Sequence, residues 1–369
     1  MLIFAFAFLF FGNRIATTGM IVSEQEGDVR TFEARITNVV SVTDHYSNFD
    51  QWQTFTFEAR ITTRGEMRGQ VITFTQNTRG FFYERFNRTA QEGDRVMLML
   101  LSSGAWSFVD YVRLHSIVIL GFVFVILLVV FGRFKGFNSL LSLGLTCTAV
   151  FAVFVPSVLS GRNIYISSII ICIYAIITTI FVINGVNKKS VAAASGCLGG
   201  VLTASILTLI TSRTMELTGL TQNESLNLLH LSPDNPLNLN AIIFAGIIIG
   251  AVGAIMDISV SISSALWELK LQMPRATFKE LFASGLNIGK DILGSNLNTL
   301  VLAYIGSSLT MVLFLLSHVN SLVRILNREL VLVEFMQAII GGFGIFVTMP
   351  LTALICAGFY TLGRKGYGE

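Results

Sequence analysis

A single carboxylate in the middle of a long apolar stretch is the first residue of this sequence that could do chemistry. Asp257 is the only charged residue between Asn240 and Trp267. A carboxylate that faces lipid is costly, so Asp257 is expected to face a bundle interior, to pair with another group or to hold a proton. Residues at spacings of three and four share its helical stripe: Gly246, Gly250, Gly253, Ser261, Ser264 and Glu268. The structural alternative is that Asp257 only caps or hydrogen-bonds a neighbouring helix.

Two later apolar stretches carry similar stripes. Lys290 and Asp291 lie near the start of the first stripe, and Asn298 lies beside it. Its members are Gly289, Asn296, Thr299, Ala303, Gly306 and Thr310. The second consists of Glu334, Gln337, Gly341, Gly344, Thr348 and Thr352, and Pro350 is expected to kink it. Small residues let helices approach closely, and hydroxyl or amide groups among them can bond across the interface.

These patterns predict three helices packed around a polar seam that serves protons or cations. The candidate ion-coupling groups are Asp257 near the middle, Asp291 toward the inside and Glu334 toward the outside. The seam is assigned to Ser261, Ser264, Asn296, Asn298 and Thr299, and close helix packing to Gly246, Gly250, Gly253, Gly289, Gly341 and Gly344. Protonatable carboxylates beside such polar groups are what proton and cation pathways use.

The sequence offers little for catalysis, a metal or a cofactor. Its four histidines are scattered, and neither an HExxH nor a GxSxG pattern occurs. The four cysteines lie in apolar stretches without metal-ligand spacing, which favours buried thiols. Gly285, Gly289 and Lys290 fit neither a Walker A nor a dinucleotide-binding motif. We therefore expect no enzymatic activity, no metal and no cofactor.

The composition of the chain predicts where the elements that position these groups lie. Of 369 residues, 53% are hydrophobic and 13% are charged, with a net charge of +3. Soluble domains have about 25% charged residues, so most of this chain is expected in a membrane. The small net charge argues against a nucleic-acid partner. Twelve of the 22 acidic and eleven of the 25 basic residues lie between Arg14 and Arg113, which predicts a water-facing module at residues 20–113 and a membrane module at 114–369.

About eight transmembrane helices are expected. The first, over residues 1–19, is a short anchor or signal-like helix, because a span needs about 20 residues. Seven further stretches are long enough: 115–132, 138–160, 164–185, 190–212, 239–265, 294–317 and 332–361. A cytoplasmic amphipathic helix near 276–290 is predicted before the sixth of these, because its apolar residues share one face.

The positive charges of the short loops indicate an orientation, since cytoplasmic loops are rich in lysine and arginine. One set of alternate loops holds ten: Arg133, Lys135, Lys188, Lys189, Lys270, Arg275, Lys279, Lys290, Arg364 and Lys365. The other set holds four: Arg162, Arg213, Arg324 and Arg328. This asymmetry predicts a cytoplasmic C-terminus and an extracytoplasmic polar module.

The polar module is predicted to be a small β-barrel of OB or SH3-like type. Alternating apolar and polar residues mark strands at 31–40, 54–62 and 69–75, and a buried strand at 96–101. The sequence Phe-Glu-Ala-Arg-Ile-Thr occurs at 32–37 and again at 57–62, either because two strands share one alternation or by duplication. Its aromatic residues, Phe81, Phe82, Tyr83 and Trp106 among them, are either a binding platform or packing groups.

Two segments carry a family resemblance. Residues 245–262, AGIIIGAVGAIMDISVSI, and 289–306, GKDILGSNLNTLVLAYIG, together resemble the YibE/F-like bacterial membrane proteins. The outward β module makes the chain similar to the YibE-type member of a YibE/YibF pair, which implies a YibF-type partner or, failing that, a homo-oligomer in the bacterial cytoplasmic membrane. The resemblance implies no established activity. A fainter similarity to the membrane halves of RND-type and SecD/SecF proteins would make Asp257 a proton-coupling acid, although the helix count differs.

Two functions therefore remain open at this point. The first is a proton- or cation-coupled transporter, or the membrane subunit of one, with Asp257 as its coupling carboxylate. The second is a non-transporting envelope scaffold that binds a partner through its β module.

Overall fold

The computed structural model describes residues 1–20, 30–46, 51–79, 89–221, 223–230, 236–318 and 321–362. The chain divides into two compact units, and each is described by itself. One comprises Met1–Val22 and Leu128–Glu369, and the other Ser23–Leu127. Phe81, Phe82 and Tyr83, and the two C-terminal cations Arg364 and Lys365, lie outside the described residues.

The smaller unit contains a closed barrel of five strands. They are β1 Thr31–Tyr46, β2 Gln51–Ile61, β3 Val71–Arg79, β4 Arg95–Leu100 and β5 Trp106–Tyr111. The order around the barrel is β1-β2-β3-β5-β4, with β1 closing against β4 and a parallel contact between β3 and β5. This arrangement is typical of OB barrels. The alternation of residues predicts β1 to β4 but does not mark β5.

The repeated hexapeptide forms neighbouring strands that face the same core. In the antiparallel register of β1 and β2, Ala34 lies opposite Ile61 and Ile36 lies opposite Ala59. All four side chains are buried, because alternate residues of a strand point to one face. Shared alternation in two paired strands therefore accounts for the repeat. Trp106 packs edge-on against Phe32, with ring centroids 5.3 Å apart.

Outside the barrel, the described chain is mostly helical. In chain order the helices are α1 Leu2–Ala16, α2 Leu114–Ala149, α3 Val155–Leu159, α4 Ile164–Asn184, α5 Lys188–Thr214, α6 Asn223–His230, α7 Leu239–Gln272, α8 Phe278–His318, α9 Leu322–Leu326 and α10 Glu329–Leu362. A π-helical turn at Val150–Phe154 joins α2 to α3. Six helical segments within the described residues are long and apolar enough to cross a membrane, which fits a multi-pass membrane protein.

The structural count of six differs from the expected eight in two places. The apolar helix α1 has only 15 residues, fewer than the roughly 20 that a span needs. Two expected spans, 115–132 and 138–160, lie in one helical stretch of 46 residues, Leu114–Leu159. That stretch would be about 69 Å long if straight, more than twice a hydrocarbon core of about 30 Å.

The long stretch is broken at Arg133, where φ is 49° and ψ is −133°. Gly136, three residues after the break, packs against the segment that precedes it. A Cβ on Gly136 would overlap the backbone carbonyl oxygen of Leu128. Only glycine fits this approach, because any side chain would collide with the backbone. The break falls between the two expected spans, beside the Arg133 and Lys135 charges that were assigned to a loop.

The short helix α1 packs against the larger unit. Phe8 stacks on Tyr174 of α4 at a centroid distance of 4.3 Å. Arg162 donates a hydrogen bond to the carbonyl oxygen of Ile15 at 2.8 Å, and the Ser160 hydroxyl donates to that of Ala16. The last carbonyls of a helix lack partners within it, so these bonds satisfy the C-terminal end of α1.

The expected amphipathic helix near 276–290 is not a separate element. Residues from Phe278 onward are the first turns of α8, which continues without a break to His318. Gly285 and Gly289 are buried against other helices: a Cβ on Gly285 would lie 2.8 Å from Ala353 Cβ, and one on Gly289 would overlap Met349. This segment therefore packs in the bundle, because its two glycines allow α10 to approach.

Candidate functional site

Two glycines of α5, which the sequence patterns did not single out, lie in close contact with α10. A Cβ on Gly196 would overlap the Thr352 hydroxyl of α10, and a Cβ on Gly200 would overlap the Thr348 hydroxyl. Gly344 of α10 is equally crowded, since its Cβ would lie 2.6 Å from Ile255 Cδ1 of α7. Small residues permit such approach, and it brings α5, α7 and α10 together.

A buried cluster of hydroxyl groups joins the same three helices. The Ser259 hydroxyl of α7 donates to the carbonyl oxygen of Ala193 at 2.6 Å and lies 2.9 Å from Thr352 Oγ1. One turn later, Ser263 donates to the carbonyl oxygen of Lys189 at 3.0 Å, and the Tyr360 hydroxyl donates to the carbonyl oxygen of Ser263. This cluster is a hydrogen-bonded packing element, because its hydroxyls all have partners.

We expect Ser259→Ala to destabilise the helical bundle by about 1–3 kcal/mol, because it removes the partner of the buried Thr352 hydroxyl and of the Ala193 carbonyl. Ser261→Ala is the matched control, since Ser261 is exposed. Thermal unfolding of the purified full chain in detergent measures the difference. Equal melting temperatures for the two variants would show that the hydroxyl cluster contributes nothing to stability.

The predicted α7 stripe lies on the opposite side of that helix. Asp257 and Ser261 are exposed, and Ser264 is half-buried. Ser261 is two residues from the buried Ser259, so it points to a different face of the helix. Gly246 and Gly253 are exposed, and no described atom lies within 4 Å of a Cβ built on either. Within the described chain, neither glycine therefore makes the close helix contact that was expected of it.

Asp257 has no partner among the described residues. No hydrogen bond or ion pair to its carboxylate is formed within that part of the chain. Along α7 it lies between Gly250, which contacts Tyr304 of α8, and Ile262, which contacts Gly289. Because the two helices are antiparallel, Asp257 lies at the level of the α8 segment that contains Asn296.

The α8 residues assigned to the seam are only partly covered. Asn296 is half-buried, whereas Asn298, Thr299 and Asp291 are exposed. The Thr299 hydroxyl donates within its own helix, to the carbonyl oxygen of Ser295 at 2.9 Å. The exposed face of α8 thus carries polar groups and its buried face carries Gly285 and Gly289, whereas the buried face of α7 carries the hydroxyls of Ser259 and Ser263.

The α10 stripe divides into two parts. Gly341 and Gly344 are buried, and a Cβ on Gly341 would lie 2.8 Å from Leu300 of α8. Glu334, nearer the start of the helix, is half-buried and lines a cavity of about 350 Å³ between α8 and α10. Glu329, five residues earlier, behaves differently: its carboxylate accepts hydrogen bonds from the backbone and hydroxyl of Thr218 at 2.9 and 2.7 Å.

Tyr304 of α8 lies between that cavity and the α7 stripe. Its ring lines the cavity, and its hydroxyl lies so near Gly250 that a Cβ there would be 2.7 Å away. The hydroxyl is buried and has no hydrogen-bond partner in the described chain. The sequence does not single out Tyr304, because a tyrosine in an apolar helix carries no signal of what surrounds its hydroxyl.

The carboxyl groups of this region can exchange a proton or hold a cation. Asp257 and Glu334 are carboxyl groups without partners among the described residues, and Tyr304 offers an unused hydroxyl. Among the described residues no cluster of three or more histidine, cysteine or acidic side chains could hold a metal ion. Cys172, Cys197 and Cys356 are buried thiols, whereas Cys147 is exposed.

The fold fits a multi-pass membrane protein with an N-terminal five-stranded barrel. The model of the YibE/F-like protein family matches residues 120–362, about two thirds of the sequence. The chain belongs to the YibE/F-like family. No curated protein and no solved structure is similar enough to the chain to be matched to it.

Proposed function

We propose that this protein is a proton- or cation-coupled transporter, or the membrane subunit of one, with Asp257 as its coupling carboxylate. The observation that carries the proposal is the carboxylate without a described partner in the middle of the apolar helix α7. An ionised carboxylate at that depth is costly, so it must gain a proton, a cation or a partner chain. Loss and recovery of a proton or cation at such a group is the elementary step of coupling.

Glu334 and Asp291 are assigned supporting roles in this proposal. Glu334 lies on the side of the cavity, and Tyr304 lies between that cavity and Gly250, two turns along α7 from Asp257. The separation of Gly250 and Asp257 along the helix is about 10.5 Å. Asp291, exposed near the start of α8, is placed toward the cytoplasmic end of the route.

We propose a bacterial cytoplasmic-membrane location, with the β-barrel outside and the C-terminus inside. The loop-charge asymmetry supports this orientation. The contacts of Ser160 and Arg162 with the end of α1 also support it, because they bring the end of α1 to the same level as the 160–163 loop, which was assigned outside. The exposed Gly246 and Gly253 favour a helix of a second membrane chain, of the YibF type or another copy, as the partner of α7.

Transport is tested with the purified full chain in proteoliposomes that contain a pH-sensitive dye. Wild-type protein is expected to dissipate an imposed pH gradient when one member of a panel of inorganic and organic cations is added. Asp257→Asn should slow that flux by roughly tenfold or more, because the amide cannot exchange a proton. Glu268→Gln, on the same stripe but near the helix end, is the matched control.

Correct insertion of Asp257→Asn is checked by the same size-exclusion profile and melting temperature as wild type. A fully active Asp257→Asn variant, or wild-type protein that moves no protons with any cation, would overturn the proposed function.

A specific observation favours the scaffold as the second candidate. Strand β1 exposes three valines, Val39, Val40 and Val42, on the barrel surface. An exposed apolar patch of this kind marks binding surfaces in soluble domains. Deletion of residues 30–111 separates the candidates: a transporter keeps proton flux in proteoliposomes, whereas a scaffold shows none with or without the barrel.

A further inference from the structure

The cavity between α8 and α10 has an apolar wall and a small polar patch. Its polar side chains are Glu334, Tyr304, Ser307 and Ser308. Aliphatic and aromatic residues from both helices supply the rest of the lining, among them Val301, Met311, Val331 and Phe335. Its volume of about 350 Å³ lies within the range of small-molecule sites, which begins at roughly 300 Å³.

Two of the four polar side chains have unused hydrogen-bonding capacity. The Tyr304 hydroxyl is buried and has no partner among the described residues. No described residue donates to or pairs with the Glu334 carboxylate. By contrast, the hydroxyls of Ser307 and Ser308 both donate to the carbonyl oxygen of Tyr304, at 2.8 and 2.9 Å. The Tyr304 hydroxyl lies toward Gly250, so the free hydrogen-bonding capacity that the cavity offers a ligand is the Glu334 carboxylate.

The Glu334 carboxylate favours a ligand with a positively charged N–H donor. An ionised carboxylate among apolar side chains needs a cationic partner, and none of the described residues that line this cavity is a lysine, arginine or histidine. A charged N–H group can donate to the Glu334 carboxylate and satisfy its charge. A bare metal ion fits less well, because hard cations require several oxygen ligands and the remaining wall is apolar.

The cavity also indicates how such a ligand arrives. Ile305 and Phe335, which belong to its wall, are 52% and 53% exposed, so the wall reaches the outer surface of the helices. Both residues lie within membrane-spanning helices, and that surface is expected to meet lipid. A ligand with an apolar body can partition into the bilayer and enter from it, whereas a small hydrophilic ion cannot.

We propose that this cavity binds an amphiphilic organic amine in its protonated form, with the ammonium group at Glu334 and the apolar body along Val301, Met311 and Val331. The site stands whether or not Asp257 couples transport. If transport is also established, a lipophilic amine becomes the first substrate class to test.

Binding is measured directly, without transport, by titrating monodansylcadaverine into the full-length protein in nanodiscs of zwitterionic lipid. This probe joins a primary amine to an apolar fluorophore, and its N-acetylated form has the same body without the charge. Wild-type protein is expected to bind the amine saturably and the acetylated probe at least roughly tenfold more weakly, because the charge-assisted bond is lost.

Variants then locate the site. Glu334→Gln is expected to weaken amine binding by roughly tenfold or more, because the charge-assisted hydrogen bond is lost. Tyr304→Phe should leave the affinity nearly unchanged, because it keeps the ring that lines the cavity and removes only the hydroxyl that lies toward Gly250. Ala338→Trp should block the cavity, since Ala338 belongs to its wall. Glu268→Gln is the control for removal of a carboxylate elsewhere, and an unchanged melting temperature shows that each variant is folded.

Three results would overturn the assignment. They are absence of saturable binding by wild-type protein, equal affinity for the amine and its acetylated form, and unchanged affinity in both Glu334→Gln and Ala338→Trp. None of them depends on proton flux, so failure of this site and failure of Asp257 as a coupling group are separate outcomes.

Discussion

Gly200→Leu is expected to prevent the close packing of α5 against α10 and to abolish recovery of a folded full-length protein. Even a Cβ at this position overlaps the Thr348 hydroxyl and lies 2.9 Å from the carbonyl oxygen of Gly344. The carbonyl belongs to the backbone, so it cannot move aside as a flexible side chain would. Overpacking usually costs about 1–3 kcal/mol, and a leucine against backbone exceeds that range.

The smaller change Gly200→Ala gives a measurable version of the same effect. It should lower the stability of the purified protein by about 1–3 kcal/mol, read as a lower melting temperature in detergent. Gly246→Ala is the matched control, because nothing lies within 4 Å of its Cβ and alanine favours a helix over glycine by roughly 1 kcal/mol. If Gly200→Ala melted at or above the temperature of Gly246→Ala, the close contact between α5 and α10 would be contradicted.

Phe57→Ala is expected to unfold the barrel at temperatures at which wild-type protein keeps it. Phe57 is fully buried and stacks on Phe55 and Phe74, with ring centroids 6.1 and 5.4 Å apart. Removal of a buried phenylalanine side chain costs about 3–5 kcal/mol. A small domain has only about 5–15 kcal/mol in total, so this loss consumes much of its stability.

Hydrogen exchange followed by mass spectrometry on the full chain measures this loss strand by strand. Peptides from β1 to β5 should exchange much faster in Phe57→Ala, while peptides from α7 and α10 keep their protection, because the barrel belongs to a separate compact unit. Val40→Ala is the control, since Val40 is 51% exposed. Unchanged protection of the strands in Phe57→Ala would contradict the barrel core.

The two carboxylates at the start of α10 show why burial and partners matter more than residue type. Glu329 accepts hydrogen bonds from Thr218 and Gly219 and so fixes the chain after α5 to the start of α10. Glu334 has no such partner among the described residues and faces a cavity. Glu329 is therefore a structural group, whereas the Glu334 carboxylate is free to bind a ligand. Both residues look alike in the sequence, and their contacts separate them.

Much of the fold was accessible from local pattern. The alternation that buries Ala34 and Ile36 in β1 is a property of neighbouring residues, so it predicted strands correctly. The parallel contact of β3 with β5 joins residues distant in sequence, and no local signal marks it. By contrast, the apolar pattern separated the 46-residue helical stretch into two spans, and the backbone is broken at Arg133, between them.

The sequence by itself determined the membrane character, the barrel and the family, because apolar length, alternation and motif are all local properties of the chain. Only the tertiary structure decided which face of each helix is inside. In lipid, apolar side chains suit both the interior and the exterior, so hydrophobicity does not set the rotation of a helix. Helix α7 carries one small stripe with Asp257 and another with Ser259, and both fit a helical period. The glycines of α5 and the threonines of α10 bury Ser259, and Asp257 is thereby left free.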